Sequence, residues 1–219
     1  MKTLVRILIT ATALTAAPAF AGGSNNDSTG ADVVNGQISL GDVWSHMTVN
    51  VATVDGSVSE AATGVGNTVQ ILTMTDSKVT NSQVTKGAIG SRLDANVTGV
   101  NGDVSLTSTT LCNGADISTD PNVTAVSSKQ ICASGDPSAA VNANVSGING
   151  FATIAASAIG NQMETDSNAA NFPVKNYQEN QSGMYATVNA NVNNVANGVN
   201  ASSVAVGNTA QIVQYNTNP

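Results

Sequence analysis

The chain predicts an all-β fold, a β-solenoid (β-helix or β-roll) built from four repeats of about 47 residues. Three observations carry this. An Asn-Val frame recurs, with its valines Val51, Val97, Val145 and Val192 at separations of 46, 48 and 47 residues. Sixteen residues after each valine stands an asparagine: Asn67, Asn113, Asn161 and Asn208. Composition is the second observation: charged residues are 10% and aromatics 3%, against about 25% charged in typical soluble domains. The apolar content is Val, Ala and Ile, which suit pleated, half-buried surfaces better than a thick globular core. Thirdly, the first frame opens with period-two alternation, Val49, Val51 and Thr53, and breaks at the turn dipeptide Asp55-Gly56, with Asn101-Gly102, Asn149-Gly150 and Ala196-Asn197 at the matching places.

Residues 1–21 read as a secretory signal peptide: Lys2 and Arg6, an apolar run from Ile7 to Ala17, and the small-x-small site Ala19-Phe20-Ala21. The apolar run is too short for a spanning helix. Its removal leaves five basic residues against fourteen acidic ones. That acidity argues against nucleic acid or an anionic membrane as partner. Residues 22–36, rich in Gly, Ser, Asn and Asp, are expected to be a flexible segment. Residues 37–219 form one β-repeat domain, with repeats starting near residues 49, 95, 143 and 190.

Within that domain Gln37–His46 is expected as a strand with a turn at Gly41-Asp42, and Trp44 as a cap on the first repeat. Each repeat then reads strand, turn, strand, turn, strand over about 25 residues, since Asp55-Gly56, Asn101-Gly102 and Asn149-Gly150 are turn dipeptides. The second corner falls at Gly66-Asn67, Gly160-Asn161 and Gly207-Asn208, with Cys112-Asn113 in the remaining copy. Between patterns lie residues 75–92, which continue the alternation as a further rung, and an insert over 118–139. Residues 166–185 read as a loop, because Pro173 bars a central strand position. One repeat has too few apolar positions to offset the ordering of its backbone at ~1–2 kcal/mol per residue, so stacking is required. An asparagine at a fixed place in every rung can form a side-chain ladder or serve its turn locally, and the two roles are compatible.

Cys112 and Cys132 travel with an exported chain into an oxidising compartment and are expected to pair. A loop of that size contributes about 3 kcal/mol in the chain-entropy model. Two thiols without a nearby histidine are too few ligands for a metal site. His46 is the only histidine and has no partner at a catalytic spacing. Acidic residues occur singly, so no general acid/base pair is indicated. Asp55, Asp103 and Asp116 lack the paired glycines of a calcium roll. Gly64-Val65-Gly66 lacks the strand-helix context of a phosphate loop. No enzyme and no cofactor is expected.

The stretch Gly207-Asn208-Thr209-Ala210-Gln211-Ile212-Val213-Gln214 resembles the GNxAxIxQ rung of curlin subunits, the amyloid fibre proteins of Gram-negative surfaces. Gly66-Asn67-Thr68-Val69-Gln70-Ile71 keeps part of that pattern and Gly160-Asn161 only its corner. The period is much longer than a curlin rung, and most repeats lack the paired Gln. The resemblance implies a β-solenoid lined by Asn and Gln ladders, passage through outer-membrane secretion machinery and assembly outside the cell. Asn200–Val206 is similar to head repeats of trimeric autotransporter adhesins, although no barrel-forming strands follow. In overall character the chain also resembles the secreted proteins that anchor adhesive holdfasts.

The expected function is that of an exported structural or adhesive surface protein, self-assembling or joining other fibre subunits. Templated pairing would occur at an open solenoid end, because the last repeat runs nearly to Pro219. The residues expected to carry it are Gly66, Asn67, Asn113, Gly160, Asn161, Gly207, Asn208 and Gln214. The alternative is a monomeric module that binds polysaccharide through Phe172, Tyr177 and Tyr185.

Overall fold

The computed structural model describes residues 8–10, 20–21, 31–74, 76–120, 124–169 and 171–215. Among them the strands are β1 (Leu8–Thr10), β2 (Phe20–Ala21), β3 (Ala31–Ser39), β4 (Val43–Val54), β5 (Val58–Thr73), β6 (Ser77–Thr85) and β7 (Ile89–Val100). They continue as β8 (Val104–Thr119), β9 (Thr124–Cys132), β10 (Ser138–Ile148), β11 (Phe151–Ser167), β12 (Val174–Asn180), β13 (Tyr185–Val195) and β14 (Gly198–Gln214). Three parallel sheets result. The first is β4-β7-β10-β13, the second β5-β8-β11-β14 and the third β3-β6-β9-β12. β1 adds antiparallel to β4 and β2 to β3. Each solenoid coil takes one strand from each sheet, so the fold is a β-solenoid.

The long second-sheet strands face both of the other sheets. Their first halves pack on the first sheet through Val58, Val104 and Ile154 against Val49, Val51, Val97 and Val145. Their second halves pack on the third sheet in a smaller cluster of Ile71, Val79, Ile117, Val126 and Met163. The repeat explains this core. Val51, Val97, Val145 and Val192 pair in register, so each coil lays a valine on the valine below. Burying one such side chain contributes about 1.5–3 kcal/mol, and only stacking can bury it.

Several expectations are corrected. The long linkers expected between patterns are not found, because most of the described residues of each coil lie in three strands. What read as second and third strands of a repeat is one strand, as in β5, bent at Gly66-Asn67. The third strand of each coil is β6 within 75–92, where a further rung was expected, and, against expectation, β9 inside the supposed insert and β12 inside the supposed loop, directly after Pro173. Ala31–Gly36, read as flexible, belongs to β3. Residues 22–30 and most of the leader lie outside the described residues. Trp44 does not close the end of the stack; its ring lies against Gly90 of the next coil.

The third sheet escaped notice because its inward side chains are polar. Asn35, Gln37, Asn81, Gln83, Thr85, Ser128 and Gln130 are all buried. Hydropathy alternation, the signal used for the first sheet, is therefore weaker there, carried by Val33, Val79, Val126 and Val174. A second hidden feature closes each first-sheet strand. Thr53, Gly99, Gly147 and Asn194 occupy equivalent places with φ of 58°, 63°, 64° and 53°. The left-handed residue thus stands two positions before the turn dipeptide, and Thr53 holds it without a glycine's freedom.

Amide ladders and an open last coil

The recurring asparagines stack at the bend of the second sheet. Asn67 Nδ2 donates to Asn113 Oδ1 at 3.0 Å, Asn113 to Asn161 at 2.7 Å, and Asn161 to Asn208 at 2.7 Å. The same amide groups also donate to the backbone across the interior, to the carbonyls of Val84, Ile131 and Glu179. Asn67, Asn113 and Asn161 therefore each tie the second sheet to the third as well as coil to coil. Asn113 and Asn161 are wholly buried, where an unpartnered amide would cost about 1–3 kcal/mol.

The residue before each asparagine has little room. A Cβ on Gly66 would lie 2.5 Å from the Cys112 carbonyl oxygen and 2.8 Å from Thr85 Oγ1. One on Gly160 would strike the Gly207 carbonyl oxygen. Gly207 meets only Asn180 Nδ2, at 3.4 Å, because no coil follows it among the described residues. In the second coil this place belongs to Cys112, which forms a disulfide with Cys132 across a Cα–Cα distance of 5.9 Å. Cys132 pairs in register with Thr85 and Asn180, so the bridge stands where Thr85 faces Gly66 and Asn180 faces Gly160. It joins two faces of one coil rather than stapling an insert.

A second ladder was not read from the sequence. Gln83 Nε2 donates to Gln37 Oε1, Gln130 to Gln83 and Gln178 to Gln130, at 2.9, 2.9 and 2.8 Å. Each glutamine also donates across the interior to a carbonyl of the second sheet: Thr68, Gly114, Gln162 and Thr209. The recurrence of Gln at separations of 46, 47 and 48 residues was the available signal. Gln214 is not part of it. It stands in register with Ser167 and donates to the Ala169 carbonyl.

The last coil is uncovered. Among the described residues no strand pairs with the outer edges of β13, β14 or β12. Inward positions that are closed in the third coil lie open here: Val199 is 51% exposed against 0% for its register partner Ala152. Ile212 is 50% exposed against 0% for Thr165. Backbone donors and acceptors and an apolar interior face the same direction, which is the constitution of a strand-accepting edge.

On the outer face of the first sheet a third column runs through Asn50, Asn96, Asn144 and Asn191, with amide contacts of 3.1, 3.2 and 3.4 Å. Beside it run Thr48, Asp94, Asn142 and Asn189, and together they line a shallow groove. Burial of Asp94 is outweighed by hydrogen bonds from Asn142, Arg92 and His46, which hold its carboxyl below the usual carboxylate range. His46 Nε2 lies 2.8 Å from Asp94 Oδ2 on the exposed surface. Asp55, Asp103 and Asp116 sit apart, receiving hydrogen bonds from Asn101, the Phe151 amide and Gln70. Nor do the aromatics expected to form one platform do so. Phe172 packs inward against the smaller core, while Tyr177 lies on the outer face of β12 and Tyr185 begins β13.

No curated protein and no solved structure matches the chain. The family model of holdfast attachment protein D matches residues 52–219, which takes in the whole solenoid from the end of β4 onward. The chain therefore belongs to the holdfast attachment protein D family, with the role in surface attachment which that membership carries.

Proposed function

We propose that the protein is an exported structural component of a bacterial surface-attachment layer, and that it works by docking rather than by catalysis. Its last coil accepts β-structure from a neighbouring component of the layer or fibre, extending the three sheets across the junction. Export through outer-membrane secretion machinery of a Gram-negative cell, as the curlin resemblance implies, would place it at the outer surface. The observation that carries this reading is the open last coil, where unpaired edges of β12, β13 and β14 surround an uncovered apolar interior. An isolated edge of this length is an association surface unless something covers it.

The test places a charge inside that end. Ala201→Asp sets a carboxylate at an inward place of β14, and Ser59→Asp sets one on an outward place of β5. With both proteins exported and folded, the first is expected in the medium and the second on the cells. Retention of Ala201→Asp at wild-type level would overturn the reading.

A second reading rests on the outer amide columns of the first sheet, a flat hydrogen-bonding face suited to an extended polysaccharide. It predicts that Asn96→Ala with Asn144→Ala weakens glycan capture while leaving end docking intact.

A further inference from the structure

The two ends of the stack differ at one inward place. Along the second sheet Glu60 is in register with Leu106, Ile154 and Ala201. Leu106 and Ile154 are fully buried, and Val58 and Ala62, two residues either side of Glu60, are buried as well. Glu60 thus has inward parity in the first coil, where the next two coils carry large aliphatic side chains. It stays half-buried because, among the described residues, no strand covers the outer edge of β5. Burial alone raises its pKa.

Among the described residues no charged side chain is paired with that carboxylate. The inward side chains around it are Met47, Val49 and Val51 of β4, Leu93 and Ala95 of β7, and Leu106 of β8. Inward places on β3 and β6 hold only amides, hydroxyls, Val33 and Val79. The charged groups of these strands, Asp32, His46, Lys78, Arg92, Asp94 and Asp116, alternate with the inward places and sit on the outer surfaces.

We propose that the open last coil takes the first coil of a second copy, and that Glu60 gates this head-to-tail step because its carboxylate must take up a proton to be enclosed. This rests on the reading of the last coil as the docking end. The occupant follows from complementarity. β13 and β4 have 11 and 12 residues, and β14 and β5 have 17 and 16. The asparagine ladder donates toward the last coil, so Asn208 presents its amide nitrogen there and Asn67 its carbonyl oxygen at the first coil. The glutamine ladder runs oppositely, with Gln178 offering its carbonyl oxygen and Gln37 its amide nitrogen. Both ladders therefore continue across a head-to-tail junction. Removal of the leader would take away β1 and β2, which otherwise lie on the edges of β4 and β3.

Such a junction sets Glu60 of the second copy against Ala201 of the first, between its Val199 and Ser203, with Val188, Ala190 and Val192 of its β13 behind them, all uncharged. The pKa is then higher in the stacked state than in the free one. Stacking is favoured at low pH and lost as pH rises through that raised value. Charged Glu60 also acts as an inward charge that keeps free ends from associating.

The experiment is sedimentation velocity with electron microscopy on the exported protein, at neutral pH and near pH 4.5, the ordinary value for Glu. Wild type is expected as single particles at neutral pH and as end-to-end rods in acid. Glu60→Leu and Glu60→Gln are expected to form rods at neutral pH, with an association constant raised about tenfold for each pKa unit the gate supplies. Ala201→Asp should form none at either pH. Circular dichroism at both pH values confirms that each variant keeps its strands. Single particles under all conditions, closed dimers, or acid rods unchanged in the Glu60 variants would each overturn the proposal. If Ala201→Asp is nonetheless shed from cells, the docking end stands and only its occupant is wrong. If Ala201→Asp is retained, the docking reading itself fails.

Discussion

Replacing Asn113 by alanine separates a load-bearing ladder from a set of local turns. Asn113 is fully buried and accepts from Asn67 and Thr85 Oγ1 while donating to Ile131 O and Asn161 Oδ1. Its removal leaves the Ile131 carbonyl and the Asn161 amide oxygen short of a donor in a dry interior. Two such groups, at ~1–3 kcal/mol each with partial relaxation, give a loss of about 2–4 kcal/mol. At the open end the same change should do little. Asn208 offers Asn161 a single acceptor, Asn161 keeps the Glu179 carbonyl, and water can replace what is lost. Asn208→Ala should therefore cost no more than about 1 kcal/mol. The assay is urea unfolding of both variants, comparing midpoints at equal slope. If each asparagine merely served its own bend, the two losses would be alike, and that result would refute the ladder account.

Three further outcomes follow from named contacts. Thr53→Gly should stabilise by about 0.5–1 kcal/mol, since a β-branched residue is held at φ 58° where the next coils place Gly99 and Gly147; a lower thermal midpoint would contradict this. Reducing Cys112–Cys132, or replacing both cysteines by serine, should remove about 3 kcal/mol, read from unfolding with and without reductant. Asp94 has a lowered folded-state pKa, so its contribution is present above the unfolded value and fades as pH falls through the folded one. Wild type and Asp94→Asn should accordingly converge in stability toward acid pH, and parallel curves would show that the Asn142, Arg92 and His46 contacts contribute nothing.

The frame of valines and asparagines was legible because stacking repeats the same demand at every coil. An inward apolar side chain must meet another, as Val51, Val97, Val145 and Val192 do, and a buried amide must meet a hydrogen-bonding partner, as Asn67, Asn113, Asn161 and Asn208 do. The strand count per coil was only partly legible, since the interior of the third sheet is mostly amide and hydroxyl and its apolar places are few, Val33, Val79, Val126 and Val174 among them. Gly66-Asn67 looked like a corner because Gly-Asn usually marks one. Here the glycine is required by close approach to the Cys112 carbonyl, and the strand runs on through the bend. Glu60 is hidden for a related reason. Its inward parity shows only once β5 is set in register on β8, where it meets Leu106. Family membership carries the attachment role, and the open coil is the physical means proposed for it.

Amide hydrogen exchange on the free protein and on the protein held at the cell surface tests the docking end most directly. In the free state the outward-facing amides of β13 and β14 should exchange fast while those of β8 and β11 are protected on both sides. On attachment, β13 and β14 should become protected along their length. Unchanged exchange there, with new protection over the outer face at Asn96 and Asn144 instead, would contradict the account and assign attachment to the amide columns.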